Sequence, residues 1–306
     1  MNTSRATLLS AALVASFASS AAALETELQA GGLSIGADKK EFAALFSTEL
    51  QNKAMSNGIV TNNDANLHAV GSIRWYGVGL HLAGDFAVGQ DKGGSYLVND
   101  DPTLYRTREV KPGEVTKLVA KVDYLLEFGG VYEQENSPFL QIIPQIQIES
   151  MPYASVSPLK SDQTWVGLTL WWALPIEGIE LGTSQDWNLA DPAYRGAAGF
   201  REFYQFGNLD LAFWQIANWG DDNYHNYLSG AKGPGFTTSD IGAKITTPTL
   251  WREWWFTTKA NWSYWLQQTD RDNIENGIDQ DGKSLGALRG DAGDLQFSVG
   301  IEWRSE

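Results

Sequence analysis

The chain has 306 residues, of which 37 are acidic and 22 basic, for a formal net charge of −15. This acidity argues against nucleic acid or an anionic surface as a partner, because both would repel it. The absence of cysteine excludes disulfides, thiolate nucleophiles and Cys-ligated metals. The 13 Trp and 31 Gly, against three His and three Met, suit strands, tight turns and membrane interfaces better than a helical enzyme core.

Residues 1–23 are predicted to be a cleavable signal peptide. Arg5 supplies a positive charge, Ala6 to Phe17 form an apolar run, and small residues up to Ala23 form an A-x-A cleavage site. The apolar run is shorter than the roughly 20 residues of a membrane-spanning helix. Cleavage leaves 21 basic and 37 acidic residues, a charge of −16. Residues 24–41 are predicted to be a periplasmic N-terminal segment, and no later stretch approaches a transmembrane helix.

From about Phe42 onward, apolar and polar residues alternate with period two, which indicates strands with unlike faces. The clearest case is 293–303, where every second residue is apolar. Such strands are longer than those of ordinary globular sheets and match the length that crosses a bilayer at a tilt. The predicted strands are 42–51, 66–76, 78–88, 116–128, 138–149, 163–174, 178–187, 199–206, 208–218, 239–248, 253–268 and 293–303.

The connections between these strands alternate in length. The long gaps are 52–65, 89–115, 150–162, 188–198, 219–238 and 269–292, and mostly short gaps lie between them. An even strand number with alternating loops and turns is the pattern of bacterial outer-membrane barrels. The sequence therefore predicts an all-β protein, a transmembrane antiparallel up-and-down β-barrel of about 12 strands over residues 42–303, in the outer membrane of a Gram-negative cell. Residues 304–306 are predicted to be a C-terminal tail.

Aromatic residues recur on the apolar faces, near the ends of the strands that precede or follow short gaps. They are Trp75, Phe128, Trp172, Trp254 and Trp303. Amphipathic rings are most stable at the depth of the lipid headgroups, so these residues predict an interfacial girdle. The alternative is that aromatics simply favour strands and point outward by chance.

Several segments resemble the TorF-like porins, a group of uncharacterised outer-membrane β-barrels. The resemblance is carried by Phe46 to Val60 with the following strands up to Phe86, by Gly182 to Trp187, by the strand pair near 199–219, and by the loop Tyr224 to Tyr227. It spans most of the mature chain but contains no chemical motif, and it implies only a porin-like barrel. Arg304-Ser305-Glu306 follow Trp303, whereas many barrels end on an aromatic residue that the assembly machinery reads.

If the apolar faces meet lipid, the opposite faces line the lumen. The predicted pore-lining residues are Arg74, His81, Asp85, Lys121, Asp123, Glu127, Glu180, Asp210, Lys244 and Lys259, with Asp186 and Glu302 on the same faces. In a barrel this narrow, such residues either fill the lumen as paired charges or leave a thin water path. The excess of acids predicts a weak cation preference for an open path.

No catalytic, cofactor or metal site is predicted. None of His68, His81 and His225 is followed two residues later by Ser, which some acyl-chain-processing barrels would require. The acidic segment 270–282 departs from the calcium-loop spacing, because Ile274 takes a ligand position, and it is predicted to be a solvated loop. Carboxylate pairs such as Asp221 with Asp222 are common by chance in so acidic a chain.

The predicted function is passive passage of small hydrophilic solutes or ions across the outer membrane. One alternative is a closed structural or adhesive barrel whose acidic loops meet lipopolysaccharide through divalent ions. A second alternative is a soluble secreted β-protein whose surface aromatics bind carbohydrate. The partners predicted for the barrel are outer-membrane lipid, lipopolysaccharide, the barrel assembly machinery and small solutes, with no nucleic acid and no cofactor.

Overall fold

The computed structural model describes residues 42–56, 59–90, 95–98, 101–107, 110–128, 140–150, 162–174, 179–190, 192–251, 253–276 and 293–305. The predicted signal peptide and the segment 24–41 lie outside these residues. The elements are β1 (Phe42–Gln51), β2 (Ala54–Ser56), β3 (Ile59–Asn62), β4 (Asn66–Trp75), β5 (Val78–Ala87), β6 (Ser95–Val98), β7 (Asp101–Thr107), β8 (Val115–Tyr124), β9 (Leu126–Phe128), β10 (Leu140–Ser150), β11 (Asp162–Ala173), β12 (Ile179–Asn188), β13 (Tyr194–Phe206), β14 (Leu209–Gly220), α1 (Asp222–Ser229), β15 (Gly235–Pro248), β16 (Trp254–Trp265), α2 (Gln268–Asn276) and β17 (Gly293–Arg304).

The main sheet closes on itself as a barrel. Each wall strand pairs antiparallel with the next, β10 pairs with both β8 and β11, and β17 pairs with β1. The short strand β9 continues β8 along β10, so the two form one wall strand and the barrel has twelve. The predicted fold class is confirmed. Two strands start earlier than predicted, β13 at Tyr194 and β15 at Gly235.

The alternation of long and short connections is less strict than predicted. The connection 189–193 has five residues, as many as 249–253 on the other side, because β13 begins earlier than the sequence pattern indicated. On the short side, 129–139 has eleven. The prediction of strict alternation is therefore wrong in detail, although most connections follow it.

The tightest connections depend on positive backbone φ angles. Tyr76 and Gly77 join β4 to β5 with φ of 50° and 84°. Two consecutive positive φ values are typical of the type I′ hairpin turn, whose twist matches that of the flanking strands. Gly207, with φ of 64°, begins the two-residue connection between β13 and β14. These turns bring consecutive strands together without a loop.

The barrel is apolar outside and polar inside. On β17, Phe297 and Val299 face outward and are about half exposed, whereas Gln296 and Ser298 face inward and are buried. The same alternation runs along β5, where Leu80 and Leu82 are 54% and 62% exposed beside the buried His81. A water-soluble sandwich would bury its apolar faces, so this distribution instead fits a surface covered by lipid. Within the described residues, no helix is both long and apolar enough to span a membrane.

The predicted aromatic girdle faces outward at the end of the barrel with the short turns. Trp75 and Phe128 are exposed, and Trp172, Trp254 and Trp303 are partly exposed. Trp254 lies directly opposite Trp303 in the register of β16 and β17. The outward direction predicted for these five rings is confirmed.

Candidate functional site: the barrel interior

The structure places all ten predicted pore-lining residues on the inner face. Seven are buried, with at most 5% exposure: Arg74, His81, Asp85, Lys121, Asp123, Lys244 and Lys259. The other three, Glu127, Glu180 and Asp210, are partly exposed and lie near the short-turn end. Burial does not simply follow depth, because Arg74 is buried although its Nη1 donates to the Gly77 carbonyl in the β4–β5 turn.

Asp123 is the centre of the first cluster of inner charges. Its carboxylate accepts a hydrogen bond from Arg74 Nη2 at 2.7 Å and lies 2.9 Å from His81 Nε2 and 3.4 Å from Lys121 Nζ. His81 is held in turn by Ser72, whose Oγ is 3.0 Å from Nδ1. Three neighbouring strands therefore direct nitrogen atoms at one buried carboxylate. Such pairing is what buried charges need, because an unpaired ion in a dry site is costly.

The cluster continues along the wall as a chain of contacts. Lys121 Nζ donates to Gln145 Oε1 at 3.2 Å, and Gln145 Nε2 donates to Asp186 Oδ1 at 3.0 Å. Arg195 bridges two carboxylates, with Nε 3.2 Å from Asp186 and Nη1 3.1 Å from Glu149. Together with the Asp123 cluster, these contacts form a polar chain from β4 to β13.

A second cluster lies on β1, β15, β16 and β17. Lys244 Nζ donates to Glu302 at 2.9 Å, and Arg304 Nε donates to the other oxygen of that carboxylate at 2.5 Å. Lys259 Nζ lies 3.3 Å from Glu49, which also accepts a hydrogen bond from Ser298. Most basic side chains of the interior therefore have a carboxylate at contact distance.

Arg201 on β13 combines an ion pair with an aromatic contact. Its guanidinium lies 2.5 Å from Glu180 and 3.8 Å from the centroid of the Trp171 ring. Trp171 reaches across β12 above Gly182, where an added Cβ would lie 2.3 Å from the ring. The lack of a side chain at Gly182 is what lets the indole lie flat against the wall.

The sequence pattern missed several charged residues of the interior. Arg195 falls in a stretch predicted to be a loop, and Arg201 lies in a Gly- and Ala-rich strand with little alternation. In all, eleven carboxylates and eight Lys or Arg side chains of the described strands face inward. The missed ones are Glu49, Lys117, Glu149, Arg195, Arg201, Asp240, Asp294 and Arg304. The acidic excess is therefore three carboxylates, eleven against eight Lys or Arg side chains.

The interior also contains apolar and aromatic side chains. Ala43, Leu45, Val70, Ala83 and Val119 form a buried apolar cluster on four adjacent strands. On the other wall, the rings of Trp165, Trp171, Phe203, Trp214 and Trp265 are buried. Among the described residues, the lumen wall is therefore not uniformly polar.

Two loop helices pack together at the long-loop end. Asp221 caps α1 by accepting a hydrogen bond from the Tyr224 amide, and Gly230 ends the helix in the left-handed conformation. His225 Nδ1 on α1 lies 3.4 Å from Asp270 on α2, and Ser229 Oγ donates to the same carboxylate. Tyr224 meets the inward ring of Trp165 edge-on at 5.9 Å. The prediction of a solvated loop is thus wrong for Asp270, which is buried, whereas 277–282 lie outside the described residues.

His225 is the titratable centre of this helix pair. Burial disfavours its charged form, but the close contact with Asp270, the hydrogen bond to the Gly235 carbonyl and the charges of Asp270 and Asp221 outweigh burial and raise the pKa of His225. Both ring nitrogens face acceptors, which only the protonated imidazole can satisfy by donating twice. Protonation of His225 therefore stabilises the contact between α1 and α2.

No protein-family model and no curated protein matches the chain. Solved structures similar to it include the KdgM porin, with 10% identity, a TM-score of 0.45, and coverage of 86% of this chain and 99% of that one. The NanC porin has 8% identity, a TM-score of 0.46, and coverage of 84% and 98%. The COG4313 outer membrane channel from Pseudomonas putida F1 has 11% identity, a TM-score of 0.42, and coverage of 88% and 98%. Sequence identities and TM-scores this low do not transfer a function to this chain.

Proposed function

We propose that this chain is a porin-like channel of the outer membrane that lets small hydrophilic solutes or ions cross passively. The observation that carries the proposal is the closed barrel with an apolar exterior and an inner face of charged and polar groups. An apolar exterior is stable in lipid, and a polar interior offers hydrogen bonds to a solute that has left bulk water. The ten predicted pore-lining residues belong to this inner face, and no catalytic step is part of the proposal.

The burial of the inner side chains limits the size of the path. Most inward residues of the described strands are less than one tenth exposed, and most of their charges are paired. A solute must therefore be small, or must displace paired side chains as it passes. We expect a low unitary conductance with weak discrimination between cations and anions, because the acidic excess is small.

The same burial favours a second candidate function, a closed barrel with a structural or adhesive role. In that case the charge clusters around Asp123 and Glu302 fill the lumen, and the long loops carry the function. A narrow barrel can be filled in this way by its own side chains. The loops would then contact lipopolysaccharide or another cell.

The proposal includes a route to the membrane. Residues 1–23 would be removed as a signal peptide, 24–41 would stay in the periplasm, and the barrel assembly machinery would insert the strands. The resemblance to TorF-like porins is part of this proposal and rests on the sequence segments alone. The outward apolar belt supports lipid as the surrounding medium.

Planar-bilayer recording of the purified protein tests the two functions. Steady unitary steps whose reversal potential shifts with ion substitution are expected of a channel. Inserted protein that stays silent would instead support the closed barrel. Heat-modifiable migration on a gel should accompany either result, and its absence, together with recovery in the soluble fraction, would contradict the membrane barrel itself.

A further inference from the structure

One buried carboxylate of the interior has no basic partner within the described residues. Asp240 on β15 is 1% exposed, and the side chains that interact with it among the described residues, Asn218, Asn261 and Ser263, are all neutral. Lys244, four residues further along β15, and Lys259, its register partner on β16, are bound to Glu302 and Glu49. Asp240 therefore differs from Asp123, Glu149, Asp186 and the other paired carboxylates of the barrel.

The oxygen atoms around Asp240 are only partly used. Asn218 Nδ2 donates to Asp240 Oδ2 at 2.8 Å and to Thr238 Oγ1 at 2.9 Å. Asp240 Oδ1, Asn218 Oδ1 and Ser263 Oγ are all buried without a hydrogen-bond partner in the described part of the chain. Ser263 lies directly opposite Asp240 in the register of β15 and β16. A carboxylate, an amide and a hydroxyl thus offer oxygens on three adjacent strands.

We propose that Asp240, with Asn218 and Ser263, binds a monovalent alkali-metal cation in the lumen wall. Burying one negative charge without a counter-ion is costly, and these neutral neighbours cannot supply a positive charge. Oxygen ligands are the kind that hard cations prefer. One carboxylate balances a single charge, whereas a divalent ion usually takes several carboxylates or keeps much of its water.

The site has a consequence for transport, which rests on the proposed channel function. A fixed cation position on β14, β15 and β16 would give cations a place to stop inside the lumen. Conduction is favoured by binding that is strong enough to admit an ion and weak enough to release it. The inner wall around Asp240 would then contribute more to cation preference than the paired acids do.

Thermal unfolding in different salts tests the site without requiring conduction. The full chain, purified from outer membranes, is melted at neutral pH in sodium or potassium chloride and in N-methylglucamine chloride of equal ionic strength. A ligand that binds only the folded state raises its melting temperature with concentration, here by an amount on the order of a few degrees. We expect this rise for the alkali cations and not for N-methylglucamine, which is too large for the site.

Variants of the chain distinguish cation binding at Asp240 from general effects of salt on stability. Asp240→Asn keeps the shape and removes the charge, so it should abolish the difference between the salts. Asp294→Asn is the matched control, because Asp294 is also buried but pairs with Lys53 at 2.5 Å, and it should preserve the difference. If Asp240→Asn does not assemble, Ser263→Ala provides the test. It should raise several-fold the cation concentration that gives half of the full rise in melting temperature.

Three results would overturn the proposal. The first is a wild-type melting temperature that is the same in all three salts, as expected if Asp240 carries a proton. The second is a cation effect that survives Asp240→Asn, and the third is an unchanged half-shift concentration in Ser263→Ala. A salt-dependent melt in a protein that never conducts would instead uphold the cation site and refute the channel.

Discussion

The two ends of the barrel bury their inner side chains to different extents. At the long-loop end, Trp165 and Trp265 are 1% exposed, where Tyr224 of α1 meets the Trp165 ring and Arg271 of α2 donates to the Trp265 carbonyl. At the short-turn end, Glu127 and Asp210 remain partly exposed, although Arg74 beside the β4–β5 turn is buried. The strands are alike at both ends, so the difference comes from the connections. A long loop can fold back over the lumen, whereas a two-residue turn cannot.

The largest expected effect concerns the aromatic packing at the loop end. Trp165→Ala removes a buried ring that contacts Tyr224 and lies 4.0 Å below the Arg195 guanidinium. We expect a loss of about 3 to 5 kcal/mol in the free energy of unfolding. Trp255→Ala at the turn end is the control, because this ring is partly exposed and should cost less. Denaturant unfolding measures both, and equal costs would refute the difference between the ends.

A lipid-facing charge should have the next largest effect. Leu168 lies opposite Pro144 on the outer face, near the middle of β11. Leu168→Arg is expected to cost about 2 to 4 kcal/mol at the bilayer midplane and to impair insertion. Leu168→Val is the control and should assemble normally. If the Arg variant keeps its heat-modifiable gel shift, the assignment of inner and outer faces is wrong.

The contact between the loop helices should depend on pH. The folded-state pKa of His225 is raised above its ordinary value of 6.5, so its stabilising contribution is fully present below that value. The contribution is lost as the pH rises through the raised folded-state pKa. A charged hydrogen bond contributes about 1.5 to 3 kcal/mol, and this contribution is lost on deprotonation. Protection of the α1 amides from hydrogen exchange should therefore fall as the pH increases.

His225→Gln provides the control for this pH effect. It keeps a hydrogen-bonding side chain and cannot take up a proton, so the pH dependence of α1 protection should flatten. A variant that retains the full wild-type pH profile would show that another group governs the helix contact.

The smallest expected effect concerns the acids at the turn end. Glu127→Gln and Asp210→Asn each remove a partly exposed inner charge, which water screens more than a buried one. We expect a slight loss of cation preference, measured as a small shift in the reversal potential under a salt gradient. Glu202→Gln is the control at the same end, because Glu202 faces outward beside Tyr204. An equal shift in this control would rule out a role of the inner position.

The wall of the barrel could be predicted from the sequence because lipid and lumen impose opposite demands on alternate residues. On β17, the strict alternation from Leu295 to Trp303 predicted both the strand and its facing. On β13, Gly196, Ala197 and Ala198 have small side chains on both faces, so the period is weak and the start was placed too late. Because Arg195 precedes the predicted start of this strand, its inward direction could not be predicted either.

The helices could have been predicted in part. Asp221 before α1 and Gly230 after it are ordinary helix start and stop signals, but the strand pattern alone gives 219–238 only as a long connection. The pairing of His225 with Asp270 could not be predicted, because 45 positions separate them and no periodic pattern links two loops. The same holds for the isolation of Asp240, which depends on the neutral side chains that β14 and β16 place beside it.

The pairing of β1 with β17 constrains when the protein can fold. Leu45 meets Arg304, and the Ser305 amide donates to the Ala44 carbonyl, so the seam joins parts of the chain more than 250 positions apart. Contacts of such high sequence separation form slowly, because the intervening chain must be ordered first. One edge of β1 must therefore stay unpaired until β17 has been synthesised. A holding chaperone during transit would protect that edge from pairing with another copy.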